Sequence, residues 1–195
     1  MLCSLRRVLV ASSLVLLAGS AAAQDATLDN VWFKLKIRIK GEAAVPGTEK
    51  PHKTSIAVTA YLHLTMQDPA DSPTDGAPTY GTTTYNYELW TESSPDTWTI
   101  SDGSSIGLET ADATVFYLPD LGLEVNTLDG ASIDCYQTIA IRAKLDGEGA
   151  LKSATLKTLG GEVHEGTTDG TDAIRGGISM TGKTIAVDDL PFPLG

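Results

Sequence analysis

Residues 31–40 alternate apolar side chains at odd positions with cations at even positions, and Trp32 takes the first even position. Successive side chains of a β-strand point to opposite faces, so this pattern predicts a strand with one apolar face and one charged face. The apolar positions are Val31, Phe33, Leu35, Ile37 and Ile39, and the cationic ones are Lys34, Lys36, Arg38 and Lys40. Burying an unpaired ammonium costs several kcal/mol of hydration. We therefore expect the four cations at the surface and the odd-numbered side chains in a core.

Alternation of the same kind recurs over residues 54–66 and 131–145. The turn Asp-Gly-Glu-Gly at 146–149, between two strand-like runs, predicts a hairpin. After residue 23, no segment repeats apolar residues with helical spacing over three turns. These patterns predict an all-β, antiparallel fold of about eight to ten strands. The length of the strands favours a small β-barrel over a β-sandwich, and the aliphatic inner face disfavours a membrane-spanning barrel.

Other segments carry weaker signals. Residues 82–90 and 96–100 read as strands, and residues 113–118 and 121–125 as two separate strands, with Pro119 and Asp120 between them. The glycine-rich, acidic stretch 160–177 is typical of a loop with at most a short strand. Residues 177–187 predict a strand pair or one bent strand, and the tail from 188 to 195, with its two prolines, should be irregular.

Residues 1–23 have the organisation of a signal peptide. Arg6 and Arg7 precede a short apolar run over residues 8–17, and three alanines at 21–23 predict cleavage before Gln24. Residues 24–195 then form a single all-β domain with one cysteine, Cys135, and hence no internal disulfide. Export without disulfides is typical of bacterial proteins. The chain resembles exported bacterial β-proteins in general, secreted or periplasmic, and that resemblance assigns no residue a role.

The chain is strongly acidic, with 14 Lys and Arg against 25 Asp and Glu. Loss of residues 1–23 would remove two arginines and no acid, and would change the net charge from −11 to −13. Such a chain should be repelled by nucleic acid and by anionic membranes. After cleavage of the signal, no transmembrane segment is expected.

Against this acidic background the cations are segregated. Arg142 and Lys144 lie on the polar face of another predicted strand, and Lys152 follows its turn. If that hairpin lies near the first strand, seven cations share one surface: Lys34, Lys36, Arg38, Lys40, Arg142, Lys144 and Lys152. The surface is either a solvated face that deters edge-to-edge pairing or a binding face for a polyanion, such as an acidic polysaccharide or another polyanion of the cell surface.

Five aromatic residues are concentrated in one segment: Tyr80, Tyr85, Tyr87, Trp90 and Trp98. Aromatic rings can stack on sugars, but aromatic pairs also stabilise ordinary sheets. Tyr85 and Tyr87 should share one face of the strand while Trp90 takes the other, so the five rings cannot form one platform.

Catalytic and metal-binding signals are weak. The loops 71–76 and 166–172, the latter with Glu162 and Glu165 nearby, are oxygen-rich enough to suggest calcium, but neither has a complete ligand pattern. Residues 103–107 match G-x-S-x-G without the strand–turn–helix context that gives the motif meaning. Cys135 shares its face with isoleucines and predicts a buried, inert thiol. No catalytic residue, cofactor or metal is expected, apart from the weak indication of calcium.

The sequence favours an exported, non-enzymatic protein that acts by binding or in a structural role, with the basic strand face as its candidate site. Two alternatives remain: a carrier that holds a small apolar molecule inside the barrel, and an enzyme whose site the sequence does not reveal.

Overall fold

The chain forms a closed barrel of eight antiparallel strands in which each strand pairs with the next and the last pairs with the first. The structure, a computed structural model, describes residues 28–43, 52–67, 82–110, 114–128, 132–168 and 172–194. The strands are β1 (Val31–Ala43), β2 (His52–Met66), β3 (Thr82–Ser94), β4 (Thr97–Glu109), β5 (Val115–Asn126), β6 (Ser132–Leu145), β7 (Leu151–Thr168) and β8 (Asp172–Ile185). A 3-10 turn follows β8 at Val187–Asp189. The predicted all-β antiparallel barrel is confirmed, whereas the predicted signal peptide lies outside the described residues.

The barrel interior is the hydrophobic core. Phe33, Leu35, Ile37 and Ile39 point inwards from β1, and each is at most 1 % exposed. They meet aliphatic and aromatic side chains contributed by β2, β3 and β5 to β8, whereas β4 turns small residues such as Ser105 and Gly107 inwards. An eight-stranded barrel has an interior just wide enough for side chains to fill. Burial of one face of each strand in this interior therefore explains the alternation of side chains along the sequence and the closure of the sheet into a barrel.

The predicted hairpin at 146–149 is present between β6 and β7. The backbone N–H of Glu148 and that of Ala150 each donate to Oδ1 of Asp146 at 2.9 Å. Gly149 has φ of 88°, a conformation that glycine adopts without the steric cost of a side chain.

Two boundaries predicted from the sequence are wrong. Residues 160–177 are mostly strand, because β7 runs to Thr168 and β8 begins at Asp172. Their glycine content is typical of a loop, but pairing with the long neighbouring strands extends the ladder through several register shifts. Residues 115–126 form one strand, β5, with a register shift between Leu118 and Leu121. Pro119 lies within this register shift. Proline has no backbone N–H to donate to a ladder, so it is tolerated where the ladder is interrupted.

The seam between β4 and β5 departs from the regular ladder. Backbone pairing there covers two residue pairs, Leu108↔Tyr117 and Glu109↔Phe116. Side chains bridge the remainder: Oγ of Ser105 donates to the carbonyl of Pro119 at 2.8 Å, and the N–H of Glu124 donates to Oγ of Ser101 at 3.0 Å. This side of the barrel is thus closed largely by side-chain hydrogen bonds.

Tyr87 also bridges the seam from inside the barrel. It projects from β3, passes beneath β4 at Gly103, and its hydroxyl donates to the carbonyl of Gly122 on β5 at 2.8 Å. A Cβ atom at position 103 would lie 2.7 Å from Cζ of Tyr87. A side chain at this position would therefore block the path of the ring.

Tyr85, two residues before Tyr87 on β3, also passes beneath a glycine of β4, but the acceptor of its hydrogen bond lies on β4 itself. Its hydroxyl donates to Oε1 of Glu109 at 3.0 Å, and a Cβ atom at Gly107 would lie 2.6 Å from Cε2 of the Tyr85 ring. The two glycines of the G-x-S-x-G match at 103–107 thus admit two tyrosine rings. The G-x-S-x-G match lies within strand β4, and packing of the tyrosine rings explains its two glycines.

We predict that Gly107→Ala destabilises the protein by about 1–3 kcal/mol, the usual cost of overpacking a core. Denaturant unfolding, followed by circular dichroism, measures the effect. Gly160→Ala is the matched control, since nothing lies within 4 Å of a Cβ atom at that exposed strand position. Equal unfolding midpoints for wild type and Gly107→Ala would contradict the close contact with Tyr85.

Candidate functional site

The four cations of β1 point outwards. Lys34, Lys36, Arg38 and Lys40 are exposed, while the intervening apolar side chains lie in the core. From Phe33 to Lys40 the exposed and buried sets are those that the period-two alternation predicts, whereas Trp32, on the cationic face, is buried in an outer cluster. Because one side of β1 must fill the barrel, its other side presents all four charges to solvent.

Strand order brings further cations beside them. On one side β1 pairs with β8, whose Lys183 is opposite Lys34. Lys183 is also opposite Thr155 of β7, and Thr155 is opposite Arg142 of β6. A single row across four strands therefore carries three cations and one hydroxyl.

We call this surface the cationic wall: the exposed cations Lys34, Lys36, Arg38, Lys40, Arg142, Lys144, Lys157 and Lys183 on β1, β6, β7 and β8. Lys152, the remaining cation of the predicted set, is also exposed and lies at the start of β7. The wall thus contains six of the seven predicted cations and two members that the sequence did not single out, Lys157 and Lys183.

The positive charge of the cationic wall is not neutralised by described acids. Glu42 is exposed on β1, but it is opposite Lys53 of β2, at the end of the row of cations. Asp134 lies towards the other end of β6 from Arg142. Within the described ranges, no cation of the wall lies within 4 Å of a carboxylate oxygen, and the His63–Glu88 contact at 3.4 Å joins β2 and β3.

A groove of about 490 Å³ lies on the part of the wall formed by β6, β7 and β8. Three of its lining residues are Arg142, Lys144 and Lys183, and Ser153 and Thr155 add hydroxyl groups. None of its ten lining residues is acidic. Cations and hydroxyl donors are the groups that hold sulfate, phosphate or carboxylate oxygens.

The predicted sugar-stacking residues are divided between two faces. Tyr85 and Tyr87 lie inside the barrel, whereas Trp90 and Trp98 lie on its outer surface. Tyr80 is outside the described residues. The two tryptophans belong to a second, smaller cluster on the outer surface, which also includes residues of β1 and of the segment after β8.

We call this cluster the aromatic box: Trp32 of β1, Tyr61 of β2, Trp90 of β3 and Trp98 of β4. The ring of Phe192, from the segment after β8, fills it and is 7 % exposed. Phe192 stacks on Trp90 with centroids 4.5 Å apart and an interplanar angle of 3°. Tyr61 lies next to the cationic wall, with Nζ of Lys34 5.8 Å from its ring centroid.

A small polar network borders the aromatic box. His63 stacks on Trp32 at 4.3 Å, and its ring nitrogens approach Oδ1 of Asn30 at 2.9 Å and Oε2 of Glu88 at 3.4 Å. The indole N–H of Trp90 also donates to Oε2 of Glu88, at 3.3 Å. These contacts fix the orientation of two of the rings.

Cys135 is buried in the barrel core, and its thiol donates to the carbonyl of Leu123 at 3.3 Å. Burial, reinforced by the nearby Asp134, raises the pKa of the thiol to about 12. Because the folded chain holds this proton more tightly, the thiol contributes stability below about pH 9, and this contribution is lost as the pH rises through about 12. Burial and the neighbouring Glu109 likewise raise the pKa of Tyr85.

The described residues hold no group of three or more His, Cys, Asp or Glu side chains that could bind a metal ion. The predicted calcium loop at 71–76 lies outside them, and so does part of the loop at 166–172, including Asp169. No helix within the described ranges is long and apolar enough to cross a membrane.

Comparisons with known proteins return no matching family model, no matching curated protein and no matching solved structure.

We predict that Cys135 reacts with a water-soluble disulfide reagent at pH 8 at least about a hundredfold more slowly in the folded protein than in denaturant, because the thiolate is the reactive form. Absorbance of the released thiol measures the rate. A variant that adds an exposed cysteine, Ser104→Cys, should react at once at the new position. Rapid labelling at Cys135 in the folded wild type, located by peptide mapping, would contradict the burial of this thiol.

Proposed function

We propose that this chain is an exported, non-enzymatic binding protein whose cationic wall holds an acidic polysaccharide or a similar polyanion of the cell surface. The observation that carries the proposal is the convergence of eight exposed cations on four adjacent strands of an acidic protein. Such segregation concentrates a positive field on one face, where it attracts a polyanion while the rest of the molecule repels it.

The dimensions of the wall suit an extended polymer. Same-face neighbours along a strand are about 6.6–6.8 Å apart and adjacent strands about 4.7–4.9 Å apart. The four cations of β1 therefore span about 20 Å, and the row from β6 to β1 spans about 15 Å. A polymer chain with repeated charges could contact several cations at once, and several weak contacts together give useful affinity.

Eight-stranded barrels can also carry a small ligand inside, so the fold is compatible with a carrier. The inward positions of β1, however, are occupied by tightly buried side chains, and they pack against apolar side chains from the other strands. This filling supports a site on the outer wall over one in the interior.

Paired variants test the proposal. Lys36→Ser/Arg38→Ser removes two charges from the wall, and Asn86→Asp/Ser94→Asp makes the same change in net charge at exposed positions of β3. An exposed ion pair contributes up to about 1 kcal/mol, so we expect the wall variant to bind a sulfated or uronic-acid polysaccharide about tenfold more weakly at about 0.05 M salt. The β3 variant should bind like wild type. Isothermal titration and retention on the immobilised polymer measure both.

The full substitution Lys34→Ser/Lys36→Ser/Arg38→Ser/Lys40→Ser should stay folded and lose its salt-sensitive retention. If wild type passes unretained through a column of the immobilised polysaccharide at about 0.05 M salt, the wall is a solvated face that does not bind the polymer. Equal weakening by the wall and β3 variants would show that net charge, rather than the wall, sets the affinity.

A further inference from the structure

Phe192 occupies the aromatic box as a ligand would. Its ring centroid lies 4.6 Å from that of Trp98, 5.5 Å from that of Tyr61 and 5.9 Å from that of Trp32, in addition to the stack on Trp90. The four rings come from four consecutive strands, each held in place by the barrel. The box is therefore a rigid site, and the only apolar ring that enters it within the described ranges comes from a segment outside the sheet.

That segment, the tail at residues 186–194, is attached to the barrel by side chains. Its backbone hydrogen bonds are local: Asp189 N–H donates to Ala186, and Leu190 N–H donates to Val187, at 3.1 Å each. In the described part of the chain, no backbone hydrogen bond joins residues 187–194 to the sheet. Pro191 and Pro193, on either side of Phe192, have no N–H to offer. Release of the tail thus breaks ring contacts and leaves the strand ladder intact.

Acidic residues of the tail complement two cations near the aromatic box, and Glu88, which also borders the box, accepts a hydrogen bond from the indole N–H of Trp90. Asp188 and Asp189 are exposed next to the apolar residues of the tail. Lys34 lies beside Tyr61, and Lys152 lines a groove together with Trp32 and Val187. An acidic segment that carries a phenylalanine is therefore attracted to this corner of the molecule by its charges and held by its ring.

We propose that the aromatic box is a recognition site for a proline-flanked phenylalanine in an extended acidic segment, and that its occupant in trans is the tail of a second copy of this chain. Every copy carries both the box and the matching tail. In cis the short connection to β8 gives the tail a high effective concentration, so the wild-type protein is monomeric when dilute. Exchange of tails joins two copies when the box of one copy is empty or when the protein is concentrated. The inference does not depend on binding of a polyanion.

Two full-length variants separate the box from the tail. The acceptor, Phe192→Ala, has an empty box. The donor, Trp90→Ala/Trp98→Ala, has a disabled box and a free tail. Each should elute as a monomer alone, and an equimolar mixture should form a heterodimer in sedimentation or light scattering. A donor that also carries Phe192→Ala is the matched control and should leave the acceptor monomeric. A mixture that stays monomeric at about 1 mM would overturn the proposal.

A peptide tests the same site without the donor, whose folding the substitutions could disturb. All three tryptophans of the chain line the box, so intrinsic fluorescence reports its occupancy. The acceptor should emit at longer wavelength than wild type, and a synthetic peptide of residues 188–195 should reverse this shift with saturation. A peptide with alanine in place of the phenylalanine should bind at least about tenfold more weakly. Equal effects of the two peptides, or no effect of either up to about 1 mM, would overturn the proposal.

Discussion

Filling a closed eight-stranded barrel is the constraint on which the rest of the structure depends. Each strand has two faces, and the interior accepts one from each, which is apolar on every strand except β4, where it is made of small residues such as Ser105 and Gly107. Phe33, Leu35 and Ile37 satisfy this constraint on β1, and their burial forces the cations between them to the outside. Because neighbours in sequence are neighbours in the barrel, and β8 closes onto β1, the outward cations of the last three strands meet those of the first. The cationic wall is a consequence of core packing and strand order.

The same constraint explains the irregular side of the barrel. Along most of β4 and β5 the backbones do not pair, and side chains join the strands instead. Tyr87 fills the interior and also donates a hydrogen bond across the seam, which requires glycine at position 103. Burial in this region raises the pKa of Tyr87, in keeping with a ring held away from water. Side-chain packing thus maintains closure where the ladder does not.

The alternation of apolar and polar residues predicts those features that are set within one strand or one hairpin. It predicts the exposed cations of β1, the buried thiol of Cys135 and the hairpin at 146–149, and it predicts the fold class through the absence of helical spacing. It does not reveal contacts set by closure. Lys183 joins the wall because β8 pairs with β1, and Phe192 meets Trp32 because the tail crosses the outside of the barrel. Residues 160–177 have the composition of a loop and become strand because long neighbours pair with them.

We propose that the cationic wall is the binding surface. The most direct test is to titrate a defined acidic oligosaccharide into isotopically labelled protein and follow backbone amide chemical shifts. Binding at the wall should concentrate the shifts on β1, β6, β7 and β8, most strongly around the row that joins Arg142, Lys183 and Lys34, and added salt should reverse them. Shifts concentrated on β3 and β4, or shifts of interior amides that salt does not reverse, would contradict it.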